Sequence, residues 1–120
     1  MDRDEFQAML ADLKVEYIDD LKQRRLAFDT LIKNEDRAQL FEEFHKIKGT
    51  GKTYGLDLVS EVAGHLEAHL ENNPQADLDT VQQGCLVLDA VLEADSQGQK
   101  LSTTDFELYN AFIKKLEHND

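Results

Sequence analysis

Apolar residues recur at intervals of three and four along almost the whole chain. This spacing runs through residues 6–32, returns around residue 44, and continues through 58–70, 78–92 and 106–116. It places the apolar side chains on one face of an α-helix. No segment shows the strict alternation and β-branched enrichment of a strand. The sequence therefore predicts an all-α protein.

Capping and breaking residues divide this pattern into six predicted helices. The first covers residues 1–12 with Asp2 or Asp4 as its cap, and the second ends near Lys33-Asn34. Each of the other four has its own start signal, which is in chain order Asn34 or Asp36 (with Gln39 at capping-box spacing), Asp57, Asp77 or Asp79, and Ser102 or Thr103.

Turn residues separate these helices. Tyr54-Gly55-Leu56 is a predicted turn, Pro74 cannot continue the fourth helix, and Gly98 lies beyond the fifth. Four longer helices with short connections predict an antiparallel up-down four-helix bundle. The additional N-terminal and C-terminal helices, the first as a short lid, are expected to pack around it.

Composition limits the class of protein. The chain has 120 residues, of which 41% are hydrophobic and one is proline, which fits a single compact domain over residues 1–120. Its formal charge of −12 is opposite to that of a nucleic-acid-binding surface and disfavours anionic membranes. Three lysines, Lys46, Lys48 and Lys52, are bunched, and no further lysine or arginine occurs until Lys100. This local positive patch suits an acidic pocket on a partner, while the acidic remainder favours a monomer.

The sequence shows no targeting signal and no cysteine pattern typical of a secreted protein. No N-terminal apolar run predicts a leader, and no stretch reaches the length of a membrane span. The single cysteine, Cys85, lies on an apolar stripe with Leu88 and Leu92 and is expected to be buried. We therefore expect a cytoplasmic protein. Its start at Met1 and its polar end favour a free-standing protein over a piece of a larger kinase.

The stretch from Phe44 to Leu56 holds the candidate site. On a helix, His45 lies well outside the apolar sector, close to Lys48 and Gly49. Glycine costs roughly 1 kcal/mol relative to alanine inside a helix. Either Gly49 or Gly51 ends the helix as a left-handed cap, or Gly49 leaves a hollow through which another protein reaches His45. In the second case Lys48 neutralises an anion there.

This stretch resembles the signature of histidine-containing phosphotransfer (HPt) domains. Their pattern is histidine, any residue, an aliphatic residue, lysine, glycine and serine or threonine, with a further glycine about ten residues after the histidine. Here it reads His45-Lys46-Ile47-Lys48-Gly49-Thr50, followed by Tyr54-Gly55-Leu56 and then by Val62-Ala63-Gly64-His65-Leu66-Glu67. The similarity covers about residues 13–95. Gly51 departs from the alanine or serine more common in the family, which puts the regularity of the helix there in question.

The resemblance implies that His45 carries a phosphoryl group and exchanges it with the aspartate of a receiver domain. A neutral histidine has a nucleophilic nitrogen near pH 7, and Lys48, with Lys52 beside it, can compensate the transferred charge. In an antiparallel hairpin centred near Gly55-Leu56, position 45 lies level with 66 or 67. Glu67 is thus placed to accept the Nδ1 proton and to leave Nε2 as the attacking atom. A glutamate or glutamine has this role in the family.

The resemblance also implies the partners. The chain has no ATP-binding motif and no acidic cluster of the kind that holds Mg²⁺, so it is expected to be a phosphotransfer intermediate and not an enzyme by itself. A response-regulator receiver domain, a hybrid histidine kinase or both would be the partners, and the receiver would supply the aspartate and Mg²⁺. We expect no cofactor of the chain's own. The docking face would comprise Phe41, Lys48, Gly49 and Lys52.

Three other interpretations compete with this one. Gly49-Thr50-Gly51-Lys52-Thr53 is similar to the end of a Walker A loop, but Lys46 stands where that motif needs glycine. A divalent-metal site could use His65 and His69, one helical turn apart, with Glu61 nearby. An HPt-like scaffold could bind receiver domains without being phosphorylated. The last two stay open at the level of sequence.

Overall fold

The computed structural model describes residues 2–99, 101–104 and 106–118, without the side chain of His118. Within these residues there are five α-helices and no strand. They are α1 (Arg3–Lys33), α2 (Arg37–Gly51), α3 (Asp57–Asn72), α4 (Asp79–Ser96) and α5 (Glu107–His118). A 3₁₀ turn, Lys52–Tyr54, joins α2 to α3. The predicted all-α class is confirmed.

The first four helices form the bundle. α1 packs against α2 and α4, and α3 packs against the same two helices, so each of the four has two neighbours within the bundle. Lys14 of α1 pairs with Asp95 of α4 at 3.1 Å, and Arg25, further along α1, pairs with Asp89, earlier in α4, at 3.0 Å. These two helices therefore run antiparallel. α5 packs on the outside of α4. This agrees with the predicted bundle and its additional C-terminal helix.

The separate N-terminal helix was predicted wrongly. α1 runs without a break from Arg3 to Lys33, with the predicted cap Asp2 accepting a hydrogen bond from the Glu5 amide at 2.8 Å. No glycine or proline lies between residues 2 and 33, so nothing stops the helix near residue 12. Its first turns carry large apolar side chains that stay exposed: Phe6, Met9, Leu10 and Leu13. They do not form the expected lid.

Two other predicted helix starts need correction, while Asp36 is confirmed as the cap of α2 by its bond from the Gln39 amide. Asp57 does not cap α3; it is the first residue inside that helix, and Leu56 precedes it without a side-chain bond. Its charge still suits the positive end of the helix dipole. Ser102 and Thr103 do not cap α5, which begins at Glu107. Ser102 Oγ instead accepts a hydrogen bond from the Thr104 amide, in a turn before the helix.

The core explains one glycine that the sequence pattern did not. A Cβ atom on Gly84 of α4 would lie 2.9 Å from the Phe112 ring and 2.6 Å from a methyl carbon of Leu66. The missing side chain therefore makes room for α5 to bury Phe112 fully.

Cys85, next to Gly84 in α4, is buried as predicted. Burial raises the pKa of its thiol to about 12, so the thiol stays protonated. None of the described helices has the combination of length and apolar character needed to cross a bilayer.

Phe112→Ala is expected to lower the free energy of unfolding by about 3–5 kcal/mol, because it leaves a cavity between α3, α4 and α5. Denaturant titration followed by circular dichroism measures the loss. Leu108→Ala, on the same helix but 41% exposed, is the control and should change stability by no more than about 0.5 kcal/mol. Equal small effects of the two substitutions would show that α5 does not share the core.

Candidate functional site

His45 lies on the outer face of α2. The apolar residues Leu40, Phe44, Ile47 and Gly51 of this helix are buried, whereas the His45 side chain is 70% exposed. The predicted position outside the apolar sector is therefore correct. A reagent or partner can approach the imidazole from solvent.

Glu67 of α3 fixes the inner edge of the imidazole. Its carboxylate oxygen Oε2 lies 2.6 Å from His45 Nδ1, although the two residues are 22 positions apart. Since a carboxylate only accepts hydrogen bonds, Nδ1 carries the proton and donates it. The other ring nitrogen, Nε2, is then the one with a free lone pair.

Lys48 binds the second oxygen of the same carboxylate. Its Nζ donates to Glu67 Oε1 at 3.2 Å, so His45 and Lys48 each take one oxygen. Burial would raise the pKa of the Glu67 carboxyl, whose side chain is only 11% exposed, but the hydrogen bonds from His45 and Lys48 outweigh it. The net pKa is lower than usual, and Glu67 is ionised at neutral pH.

Gly49 and Gly51 are both helical, so the left-handed cap alternative is wrong for each. Gly51 has φ −55° and ψ −46°, and the left-handed residue of this connection is Gly55, with φ +77°. A Cβ at Gly49 would meet no atom within 4 Å, which leaves open space one turn from His45. α2 stays regular through Gly51 and then tightens into the 3₁₀ turn.

Comparison with known proteins identifies the family. The sequence profile of the family described as Hpt domain matches residues 8–98, more than half of the chain. The chain belongs to the Hpt domain family. Searches of curated proteins and of solved structures gave no significant match. Hpt domains take part in histidine phosphotransfer in two-component phosphorelays and interact with receiver domains or kinases.

The four residues predicted to form the docking face of this Hpt domain lie on α2, which carries His45, and on the 3₁₀ turn that follows it. The half-buried Phe41 ring is nearly parallel to the imidazole, with 6.5 Å between the ring centroids. Lys48 and Gly49 are exposed on α2, and Lys52 is exposed in the 3₁₀ turn. Lys48 and Lys52 also line an open cleft of about 750 Å³ between α2 and α3.

Two tyrosines without a predicted role in the site hold the end of α2. Thr50 Oγ1 donates to the Lys46 carbonyl at 2.8 Å and lies 2.7 Å from the Tyr17 hydroxyl, which therefore donates to it. The Tyr17 ring stacks on Tyr54 with centroids 4.6 Å apart. Thr50 belongs to the motif, but no local signal links it to a tyrosine 33 residues away.

The histidine pair of α3 gives no support to the metal alternative. His65 Nε2 lies 4.0 Å from Glu61 Oε1, and its ring is edge-on to Phe112. His69 is buried, with its Nδ1 3.4 Å from the Asn73 amide nitrogen. Among the described residues no group of three or more histidine, cysteine, aspartate or glutamate side chains is placed to hold a metal ion.

The lowered pKa of Glu67 predicts a pH-dependent part of the stability. Between the usual carboxyl pKa, 4.5, and the lower value in the folded protein, the unfolded chain binds a proton that the folded protein does not. Wild type should therefore be more stable than Glu67→Gln near neutral pH, and this difference should shrink as the pH falls below 4.5. Urea titrations at several pH values measure it. The exposed Glu71→Gln on the same helix is the control, and a Glu67→Gln difference independent of pH would contradict the prediction.

Proposed function

We propose that this Hpt domain is a histidine phosphocarrier that relays a phosphoryl group between His45 and the aspartate of response-regulator receiver domains. The observation that carries the proposal is an imidazole exposed on one side and bound through Nδ1 to a buried carboxylate, 2.6 Å away, on the other. Such an arrangement fixes the tautomer without blocking the reactive nitrogen. A hybrid histidine kinase that carries a receiver domain would be a partner of the same kind.

The geometry supports a simple transfer step. The Nε2 lone pair attacks the phosphorus of the receiver's aspartyl phosphate, the N–P bond forms, and the P–O bond to the aspartate breaks and releases a carboxylate. The ring becomes positively charged as the N–P bond forms. Glu67 stabilises this charge through the Nδ1 proton, which stays on the imidazole. The reverse step passes the group to the next aspartate.

Charge and shape complete the proposal. The exposed ammonium groups of Lys48 and Lys52 offset the negative charge of the phosphoryl group, and the open surface over Gly49 admits the backbone of the partner. Phe41 adds an apolar contact beside the imidazole. The aspartate and the Mg²⁺ that polarises its phosphoryl group belong to the receiver domain, so transfer requires both proteins. A cytoplasmic location and a monomeric state stay predictions.

Incubation with a phosphorylated receiver domain is expected to label wild type with a phosphate that is labile in acid and stable in alkali. His45→Gln should take up no label, because it lacks the imidazole. His65→Gln, which removes another accessible imidazole on α3, is the control and should be labelled like wild type. Label that persists in His45→Gln would move the site elsewhere, and receiver binding without any label in wild type would favour the scaffold alternative.

Gly49→Leu is expected to slow transfer from a receiver domain at least about tenfold, because a side chain would fill the open surface that the partner approaches. Helicity should be retained, since leucine raises the local helix propensity by roughly 0.8–1 kcal/mol. Labelling by phosphoramidate, a small donor that needs no docking face, separates docking from chemistry and should change little. Receiver transfer at the wild-type rate in Gly49→Leu would remove the steric role of Gly49.

A further inference from the structure

Lys48 is contacted by α3 along its whole length. Its backbone carbonyl accepts a hydrogen bond from Ser60 Oγ at 3.0 Å, and its Nζ donates to Glu67 Oε1 at 3.2 Å. Between these ends its Cγ, Cδ and Cε atoms lie 3.6–3.8 Å from where a Cβ of Gly64 would be. Ser60, Gly64 and Glu67 are spaced i, i+4 and i+7, so they form one stripe of α3.

Ser60 fixes the backbone end of Lys48. The Lys48 carbonyl lies in the last turn of α2, and the Ser60 side chain that donates to it is almost fully buried. This contact depends on Gly51, since a Cβ there would clash with Ser60 Oγ and lie 3.1 Å from the Ser60 amide nitrogen. The close approach of α2 to α3 therefore determines where the Lys48 side chain starts.

Gly64 determines the path of the side chain. A lysine that is 53% exposed would otherwise sample many rotamers, and ordering it has an entropic cost. The absence of a side chain at Gly64 leaves a shallow groove on α3 in which the methylene groups lie. An alanine there would make only ordinary van der Waals contact with them. A larger side chain would occupy the path.

We infer that Gly64 and Ser60 are positioning residues that act through Lys48: they direct its ammonium group to Oε1 of Glu67 and leave Oε2 for Nδ1 of His45. This inference rests on the proposed function, because it assigns these two residues to the same site. The inference also places a structural requirement on α3. The face of α3 next to Lys48 must stay free of bulk for His45 and Lys48 to share Glu67.

The test compares Gly64→Leu with Gly64→Ala. Both replace a mid-helix glycine with a better helix former, so both should fold and keep the helicity of wild type. Titration of the Glu67 carboxyl by ¹³C NMR should show a raised pKa in Gly64→Leu, because the Lys48 hydrogen bond that lowers it is lost. Lys48→Met should raise it equally, and Gly64→Ala should leave it unchanged. Ser60→Ala should shift it in the same direction.

A double-mutant cycle shows whether Gly64 acts through Lys48. Gly64→Leu and Lys48→Met should each slow labelling by phosphoramidate by roughly tenfold, as expected for the loss of one charge-assisted hydrogen bond, and the double variant should be no slower. Additive losses, or a Gly64→Leu protein with wild-type titration and labelling, would overturn the inference. If wild type takes up no label, the proposed function fails, while the Glu67 titrations still decide the role of Gly64.

Discussion

A single buried carboxylate joins the two helices of the candidate site. Glu67 of α3 accepts one hydrogen bond from His45 and one from Lys48, both on α2. A buried carboxylate without such partners would be costly, so these bonds tie the two helices together and set the tautomer of the imidazole. The orientation of the ring, the ionisation of Glu67 and the direction of the Lys48 side chain all depend on this one group.

The short connection between α2 and α3 made this pairing predictable from the sequence. Because the turn is tight and centred near Gly55-Leu56, counting outward from it places residue 45 level with residue 66 or 67. The end of α3 near Pro74 and the Asp36 cap were equally visible, since proline and capping residues act locally. Helix boundaries without a local signal could not be predicted from the sequence. The predicted break in α1 near residue 12 shows this, because no glycine or proline marks a helix end there and the helix runs through.

Four glycines lie within helices, and the sequence alone does not tell why each of them is a glycine. Each has the same intrinsic cost in a helix, yet the space around them differs. Gly49 faces open surface, Gly51 lies against Ser60, Gly64 lies under the Lys48 side chain, and Gly84 adjoins Leu66 and Phe112. These reasons depend on the neighbouring helix, so the spacing of residues along one helix does not reveal them. The link between Tyr17 and Thr50 is non-local in the same way.

The helix α5 lies beyond the part of the chain that matches the family. That match ends at residue 98, but Phe112 of α5 fills the space beside Gly84, and the Tyr109 hydroxyl donates to Glu61 of α3 at 3.0 Å. The family match and the packed core therefore have different limits in this protein. A fusion or chimaera that borrows only the matched segment would expose Leu66, one residue before the carboxylate that orients His45. For this reason, a portable version of the module has to include residues 107–118.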